Sequence, residues 1–365
     1  MSTRSPFAVA AVQAAPVFLD REATIAKACA LIETAAGAGA RLIVFPEAFV
    51  PCYPDWVWLL PPRERKSLDQ LYAELVDQAV AVPSDAVRRL CDAARAAEAW
   101  VVIGVSERNV EASGSSLFNT LLFIDSSGSL VARHRKLVPT SAERLVWAQG
   151  DGSTLVVHET PLGRLGGLIC WENYMPLARH ALYLQGEQIH VAATWDRGEP
   201  WLSTLRHIAK EGRMYVIGCA PALRRADIPD RYGWKSLYPE GREWVCPGDS
   251  AIVDPEGAFI AGPVREREEI LHAVLEPDRM AGSRRLLDVA GHYGRPDLFQ
   301  LTVRRDGAGD VATMATENAS SPRRAVKRKA ADQPRRRPAR SSATRRSVRA
   351  RTATRSARAA GRGRR

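Results

Sequence analysis

The stretch Gly166-Gly167-Leu168-Ile169-Cys170-Trp171-Glu172-Asn173-Tyr174-Met175-Pro176 constrains this chain more than any other. Apolar residues and glycines run into a cysteine, an acid and a proline. That is the pattern of a buried strand ending in a sharp turn, with a helix begun at or after Pro176. A thiol at such a corner projects from the end of a sheet, near backbone N–H groups that stabilise a thiolate or a developing oxyanion.

Strands and helices alternate on either side of this corner. Residues 7–13 read as a first strand, 21–36 as an alanine-rich helix, and 41–45 as a continuous apolar strand stopped by Pro46, which puts Glu47 at its C-terminal end. An aromatic, proline-rich loop (Phe49, Tyr53, Trp56, Trp58) leads to helical patterns at 65–80 and 84–97 and to a strong strand at 100–107. Residues 117–124 and 130–136 flank the polar turn Asp125-Ser-Ser-Gly128, a hairpin that delivers Arg135 and Lys136 at its exit. Further strands are expected at 155–158, 165–170, 188–194, 214–219 and 269–275, helices at 177–184 and 201–212, and a second hairpin at 250–261. The alternation with intervening hairpins predicts an α/β fold, layered, with mixed sheets and two similar halves. There is no short-period repeat.

Charge divides the chain unevenly. Residues 321–365 hold eighteen Lys and Arg against the single Asp332, so this tail alone is +17 in a chain of net +11, leaving residues 1–320 at −6. Apolar periodicity fades near residue 305. The expected organisation is therefore a folded body over 1–305 and a disordered, strongly basic tail over 306–365, whose composition cannot offset chain entropy.

No apolar run approaches the ~18 residues that a membrane span requires, and the first residues lack a basic region followed by an apolar block. A cytoplasmic protein is the expectation. Six cysteines lie far apart with no CxxC pair, which argues against a zinc site or a disulfide framework and suits a reducing compartment.

Three polar residues stand at ends of predicted strands, where an open α/β sheet places its ligand crevice: Glu47, Lys136 and Cys170. Their chemistry suits attack on an electrophilic carbon bonded to nitrogen. The thiol needs a base and later water needs one, for which Glu47 serves; negative charge on the substrate needs a cation, for which Lys136 serves.

The segments Phe45-Pro46-Glu47-Ala48-Phe49, His134-Arg135-Lys136-Leu137-Val138-Pro139-Thr140 and Cys170-Trp171-Glu172-Asn173-Tyr174-Met175-Pro176 resemble, in order, the three signature blocks of the nitrilase superfamily of carbon–nitrogen hydrolases. The resemblance covers roughly residues 7–299. It implies a four-layer α-β-β-α sandwich and puts that family's Glu–Lys–Cys triad on Glu47, Lys136 and Cys170. Within the superfamily, Cys170–Pro176, Glu143–Gly152 and Gly291–Asp297 are most similar to the nitrilase branch. The resemblance further implies that Glu143 is a second active-site glutamate, that no metal or organic cofactor is needed, that the substrate is a small nitrile, and that the chain forms homo-oligomers, dimers that can stack into spirals. Residues 286–299 are the expected contributor to such an interface.

Other residues have plainer readings. Cys29, Cys91 and Cys219 are read as small core hydrophobes, as is Cys52, although it follows Glu47 closely. His134 and His292 are read as structural, since Glu47 already supplies a base. Tyr53, Trp56, Trp171 and Trp195 are candidate linings of an apolar substrate pocket. Two rival functions remain: an amidase, carbamoylase or amide-releasing hydratase with the same triad, and a nucleic-acid-binding protein using the basic tail. The tail has no aromatic residue to stack on bases, so it would bind nucleic acid only non-specifically.

Overall fold

The computed structural model describes residues 5–305. The first half supplies β1 (Phe7–Gln13), α1 (Arg21–Gly37), β2 (Ala40–Val44), α2 (Arg65–Gln78), β3 (Val80–Ala81), α3 (Asp85–Ala96), β4 (Trp100–Arg108), β5 (Leu117–Ile124) and β6 (Leu130–Arg135). The second supplies β7 (His158–Thr160), β8 (Gly163–Ile169), α4 (Pro176–Tyr183), β9 (Ile189–Ala193), α5 (Glu199–Gly212), β10 (Tyr215–Cys219), β11 (Ala222–Arg224), β12 (Trp244–Val253) and β13 (Phe259–Arg265). β14 (Glu269–Leu275) and α6 (Pro277–Arg284) follow.

The strands form two seven-stranded mixed sheets. One runs β14-β1-β2-β4-β5-β6 with β3 beside β4; the other runs β11-β12-β10-β9-β8-β7 with β13 beside β12. Each has a parallel trio at its centre, β1-β2-β4 and β8-β9-β10, flanked by antiparallel strands. The expected likeness of the two halves is visible in this arrangement. β14 crosses back from the second half to pair with β1, which ties the first and last strands of the described residues into one sheet.

Side-chain alternation produces the layers. Leu42, Val44, Val102, Leu121 and Phe123 of the first sheet meet Leu165, Ile169, Ile189, Val191 and Ile217 of the second. Their neighbours Ile43, Phe45, Val101, Ile103 and Leu122 point the other way and are covered by α1 and α3. Strands buried on both faces carry continuous apolar sequence, which is why these runs do not alternate with polar residues. Helix α1 starts at Asp20, whose carboxylate accepts the Ala23 N–H, and buries Ile25, Ala28, Ile32 and Ala35 at helical spacing. On the far side α5 lays Trp201, Leu205 and Ile208 over Val216 and Val253, and α4 lays Ala178, Ala181 and Leu182 over Leu168. Helix, sheet, sheet, helix is the four-layer sandwich expected.

Several local expectations need correction. Residues 155–157 are not strand: a short 3₁₀ turn at Gly152–Thr154 precedes them, Leu155 packs under α4, and the Val157 N–H is taken by Gln185 Oε1. The strand there is only β7. Short β3 and β11 and helix α6 carry too little periodic signal to be read in advance. Residues 286–299 contain neither helix nor strand, with Leu286, Tyr293, Leu298 and Phe299 exposed. The basic tail lies outside the described residues.

Candidate active site

Glu47 owes its position to a crossing of backbones. After β2 the chain passes over β4 at Gly104, where a Cβ would lie 2.3 Å from the Pro46 carbonyl oxygen and 2.5 Å from the Ala48 nitrogen. Only glycine lets the two segments approach this closely. The Gly104 N–H donates to Pro46 O and the Val50 N–H to Gly104 O, pinning the corner on both sides of Glu47.

Lys136 leaves the end of β6 and is wholly buried. Its Nζ donates to Glu47 Oε1 at 2.8 Å and to Glu143 Oε2 at 2.7 Å. Burial opposes its charge, but the Glu47 carboxylate, Cys170 and Glu143 outweigh that and hold the ammonium well above the usual lysine range. Glu47 Oε1 also accepts from Asn119 Nδ2 at 2.6 Å, while its Oε2 is buried without a hydrogen-bond partner among the described residues. Burial raises the Glu47 carboxyl, with Lys136 opposing and Glu143 adding to the rise. One oxygen is committed and the other is free.

Glu143 sits in a 3₁₀ turn, Ser141–Leu145, where its Oε2 accepts the Thr140 N–H at 2.7 Å and its Oε1 accepts the Tyr53 hydroxyl at 2.7 Å. Tyr53 in turn stacks on Trp195, rings 4.3 Å apart and 8° from parallel. The four residues 47, 53, 136 and 143, from two loops and a strand end, thus form one continuous buried hydrogen-bonded group.

Cys170 opens a 3₁₀ turn, Cys170–Tyr174, directly after β8, with φ of +51°. A non-glycine residue in the left-handed region costs about 1–3 kcal/mol and persists only where its surroundings hold it there. Its thiol is buried, and burial followed by the Glu47 carboxylate pushes it above the ordinary thiol range, with Lys136 opposing. Thr194, at the end of β9, hydrogen-bonds it. Glu47, Lys136, Glu143 and Cys170 therefore lie together; Glu47, Lys136 and Cys170 follow strand ends, and Glu143 joins them from its 3₁₀ turn.

Glu172 joins the two halves of this arrangement. Its Oε1 accepts the Leu137 N–H at 2.6 Å, its Oε2 accepts the Ile169 N–H at 2.7 Å, and Oε2 lies 3.0 Å from His134 Nε2. One carboxylate therefore grips the residue after Lys136 and the residue before Cys170. His134 is structural, as read, and this is its task. Burial opposes charge on His134, but the Glu172 carboxylate holds it above its ordinary range; Glu172 is held below its own, against burial, by His134 and the two N–H groups. The His134 contribution to stability is complete below 6.5 and is lost as pH rises through its folded pKa; that of Glu172 is present above 4.5 and lost as pH falls through its folded pKa. In thermal melts, the Tm deficit of His134→Gln is expected to be largest near about pH 5.5 and to shrink towards about pH 9. A deficit constant across that range would rule out a charged pair.

A cavity of about 370 Å³ opens above Cys170, lined by Tyr53, Trp171 and Trp195 together with Asp55, Trp58, Tyr238, Arg197 and Arg242. Tyr53, Trp171 and Trp195 are thus placed as expected. Trp56 is not: it is fully buried and packs against Phe18 and Trp234, while its neighbour Trp58, 45% exposed, takes the lining position. In the one 3₁₀ turn Asp55–Trp58, which indole faces inward is a matter of rotation about the turn. Cys29, Cys52, Cys91 and Cys219 belong to the core or its edge, and burial pushes each thiol up.

Sequence reasoning missed Asn119, Asp55, Tyr238 and Thr194. Asn119 had a signal, a polar residue inside the apolar run Leu117–Ile124. The other three had none: the Asp55 carboxylate accepts from Trp195 Nε1 and from Tyr238, 183 residues away. No group of three or more His, Cys, Asp or Glu placed to hold a metal occurs among the described residues.

Comparison with known proteins accords with this geometry. A family model described as carbon-nitrogen hydrolase matches residues 8–285. An aliphatic nitrilase of Sinorhizobium fredii (strain HH103) is 42% identical over 315 residues, covering 85% of this chain and 99% of the relative. A bifunctional nitrilase/nitrile hydratase of Nicotiana tabacum is 39% identical over 315 residues, covering 84% and 88%. Among solved structures, a carbon-nitrogen hydrolase from Helicobacter pylori G27 superposes with a TM-score of 0.61 at 19% identity, covering 81% of this chain and 97% of that one, a likeness of fold.

Proposed function

Because the chain belongs to the carbon–nitrogen hydrolase family, we propose that it is a nitrilase, converting an organic nitrile and two waters to a carboxylic acid and ammonia with Cys170 as nucleophile. The observation that carries this reading is the unpartnered Glu47 Oε2, buried beside a cysteine whose resting form is the thiol. Oε1 is anchored by Lys136 and Asn119, so Oε2 is the atom available to take the thiol proton.

In this mechanism sulfur adds to the nitrile carbon as the thiol proton passes through Glu47 to the nitrile nitrogen, giving a thioimidate. Water, deprotonated by Glu47, adds next to give a tetrahedral intermediate. The Lys136 ammonium and the Trp171 N–H stabilise its developing charge. Proton return from Glu47 lets ammonia leave, and a second water releases the acid from the thioester and restores the thiol. If the tetrahedral intermediate expels the thiolate instead, the product is the amide, which is the branch point with the hydratase reading. Glu143 keeps Lys136 oriented and neutralised, with Tyr53 and Thr140 fixing Glu143.

The substrate is a small nitrile, and the aromatic lining leans the choice towards an arylaliphatic one. No helix among the described residues is long and apolar enough to cross a membrane. We place the enzyme in the cytoplasm and take it to be a homo-oligomer; exposed Leu177 of α4, Leu184 just after it and the apolar residues of 286–299 are its candidate contacts. We assign the basic tail no part in the chemistry. The purified protein, given phenylacetonitrile, benzonitrile, an aliphatic dinitrile, cyanide and the matching amides, is expected to release ammonia and acid from at least one organic nitrile. Consumption of amides with every nitrile left intact would replace this reading by the amidase one.

A further inference from the structure

Behind the Cys170 turn lies a chain of side chains that do not line the cavity and that the mechanism above does not use. Asn173, His190 and Glu187 are each fully buried. Asn173 Nδ2 donates to Cys170 O at 2.9 Å and to Leu168 O at 3.2 Å. With both amide protons given to carbonyls, Asn173 Oδ1 is an acceptor, and it lies 2.8 Å from His190 Nε2, which must therefore carry a proton. The other imidazole nitrogen, Nδ1, lies 2.9 Å from Glu187 Oε1, a contact that requires one further proton between them.

Space has been made for this chain. His190 on β9 is in register with Gly166 on β8, and a Cβ at Gly166 would lie 2.2 Å from Glu187 Oε1. Glu187 Oε2 has no partner among the described residues. A buried carboxylate with one oxygen unpaired is costly.

We propose that Glu187, His190 and Asn173 are positioning residues that aim the Trp171 N–H at the reacting carbon's substituent, and so build the oxyanion site. In a trans peptide the C=O and the following N–H point in opposite directions. Anchoring Cys170 O to Asn173, behind the turn, turns the Trp171 N–H the opposite way, towards the side on which the cavity opens. The same bond holds Cys170 in its left-handed backbone conformation, and Arg179 Nη1, donating to Asn173 O at 2.7 Å, fixes the residue that does the holding. His190 sets which way the Asn173 amide faces, and Glu187 sets which imidazole nitrogen donates.

The inference rests on the acyl-transfer reading of Cys170 but not on the nitrile as substrate, since amide and nitrile routes share the tetrahedral intermediate. The test separates the thiol from the oxyanion site. Iodoacetamide alkylates Cys170 by displacement and builds no oxyanion, whereas an aldehyde adds to it reversibly and does. In Asn173→Ala, kcat on whichever nitrile or amide the wild-type protein turns over is expected to fall about 10- to 100-fold with KM nearly unchanged. Protection of Cys170 from iodoacetamide by phenylacetaldehyde should weaken by a similar factor, while alkylation without aldehyde stays within about threefold of wild type. His190→Gln, which still offers an N–H to Asn173, should keep kcat within about threefold, and His190→Ala should behave like Asn173→Ala, which keeps the inference testable if the latter does not fold. Alkylation and aldehyde protection falling together, or neither changing, would overturn it. A wild-type protein that ignores every nitrile sinks the proposed function alone, because the aldehyde measurement needs no turnover.

Discussion

Cys170→Ala is expected to lower nitrile turnover by on the order of 10⁴-fold or more while leaving the protein folded. On the proposed mechanism nothing else in this site can replace the Cys170 thiol: the other described cysteines lie in the core or at its edge and do not line the cavity. Stability should barely move, because the change removes one sulfur from a neutral side chain bordering a cavity. A cost of at most about 1 kcal/mol is expected for losing so few buried atoms. Ammonia release measured beside a thermal melt checks both halves. Turnover retained in a folded Cys170→Ala protein would withdraw the covalent mechanism.

Lys136→Met should damage both function and fold. Methionine has a similar reach and no charge, so Glu47 and Glu143 lose the ammonium they share. Removing one partner of a buried ionic group costs about 3–5 kcal/mol, because the remaining charges have no solvent to turn to. For a domain of this size that is a fall in Tm of roughly 6–20 °C. Turnover should fall by about 10³-fold or more with the loss of the group facing the developing negative charge. The sign of the pH dependence identifies the cause. Without Lys136 the Glu47 carboxyl, already raised by burial, is pushed further above its unfolded value, so the stability gap between variant and wild type is smallest in acid, where it is protonated, and widens as pH rises. A gap that narrowed with rising pH would mean that lost packing, not stranded charge, was responsible.

The contrast between these two variants follows from what each residue touches. Cys170 is held by its backbone: by β8 before it, the Asn173 amide behind it and the Glu172 carboxylate across from it. Lys136 is itself a structural cation, and chemistry and stability cannot be separated there.

Much of this was legible in advance at particular residues. The apolar runs before Glu47 and Cys170 are local, and so is the stop that Pro46 and the turn after Ile169 impose; each places a polar side chain at a strand end without reference to anything distant. The hairpin ending in Arg135 does the same for Lys136. Trp56 shows the opposite case, since Trp56 and Trp58 share one turn and only the packing of Phe18 and Trp234 against it selects which indole is buried. Residues 155–157 are apolar enough for a strand, yet a side-chain amide from Gln185 takes the N–H that a ladder would need.

By itself, then, the sequence determined the longer elements, their alternation and the chemical character of the residues at their ends, because periodicity, breakers and side-chain chemistry act over a few residues. Only the tertiary structure decided that Lys136 lies between two carboxylates, that Glu172 grips the residue after Lys136 and the residue before Cys170, and that Asn173, His190 and Glu187 line up behind the turn. Those are contacts between groups up to 89 residues apart, and their distances are set by how two twisted sheets pack face to face, which no short window of sequence encodes.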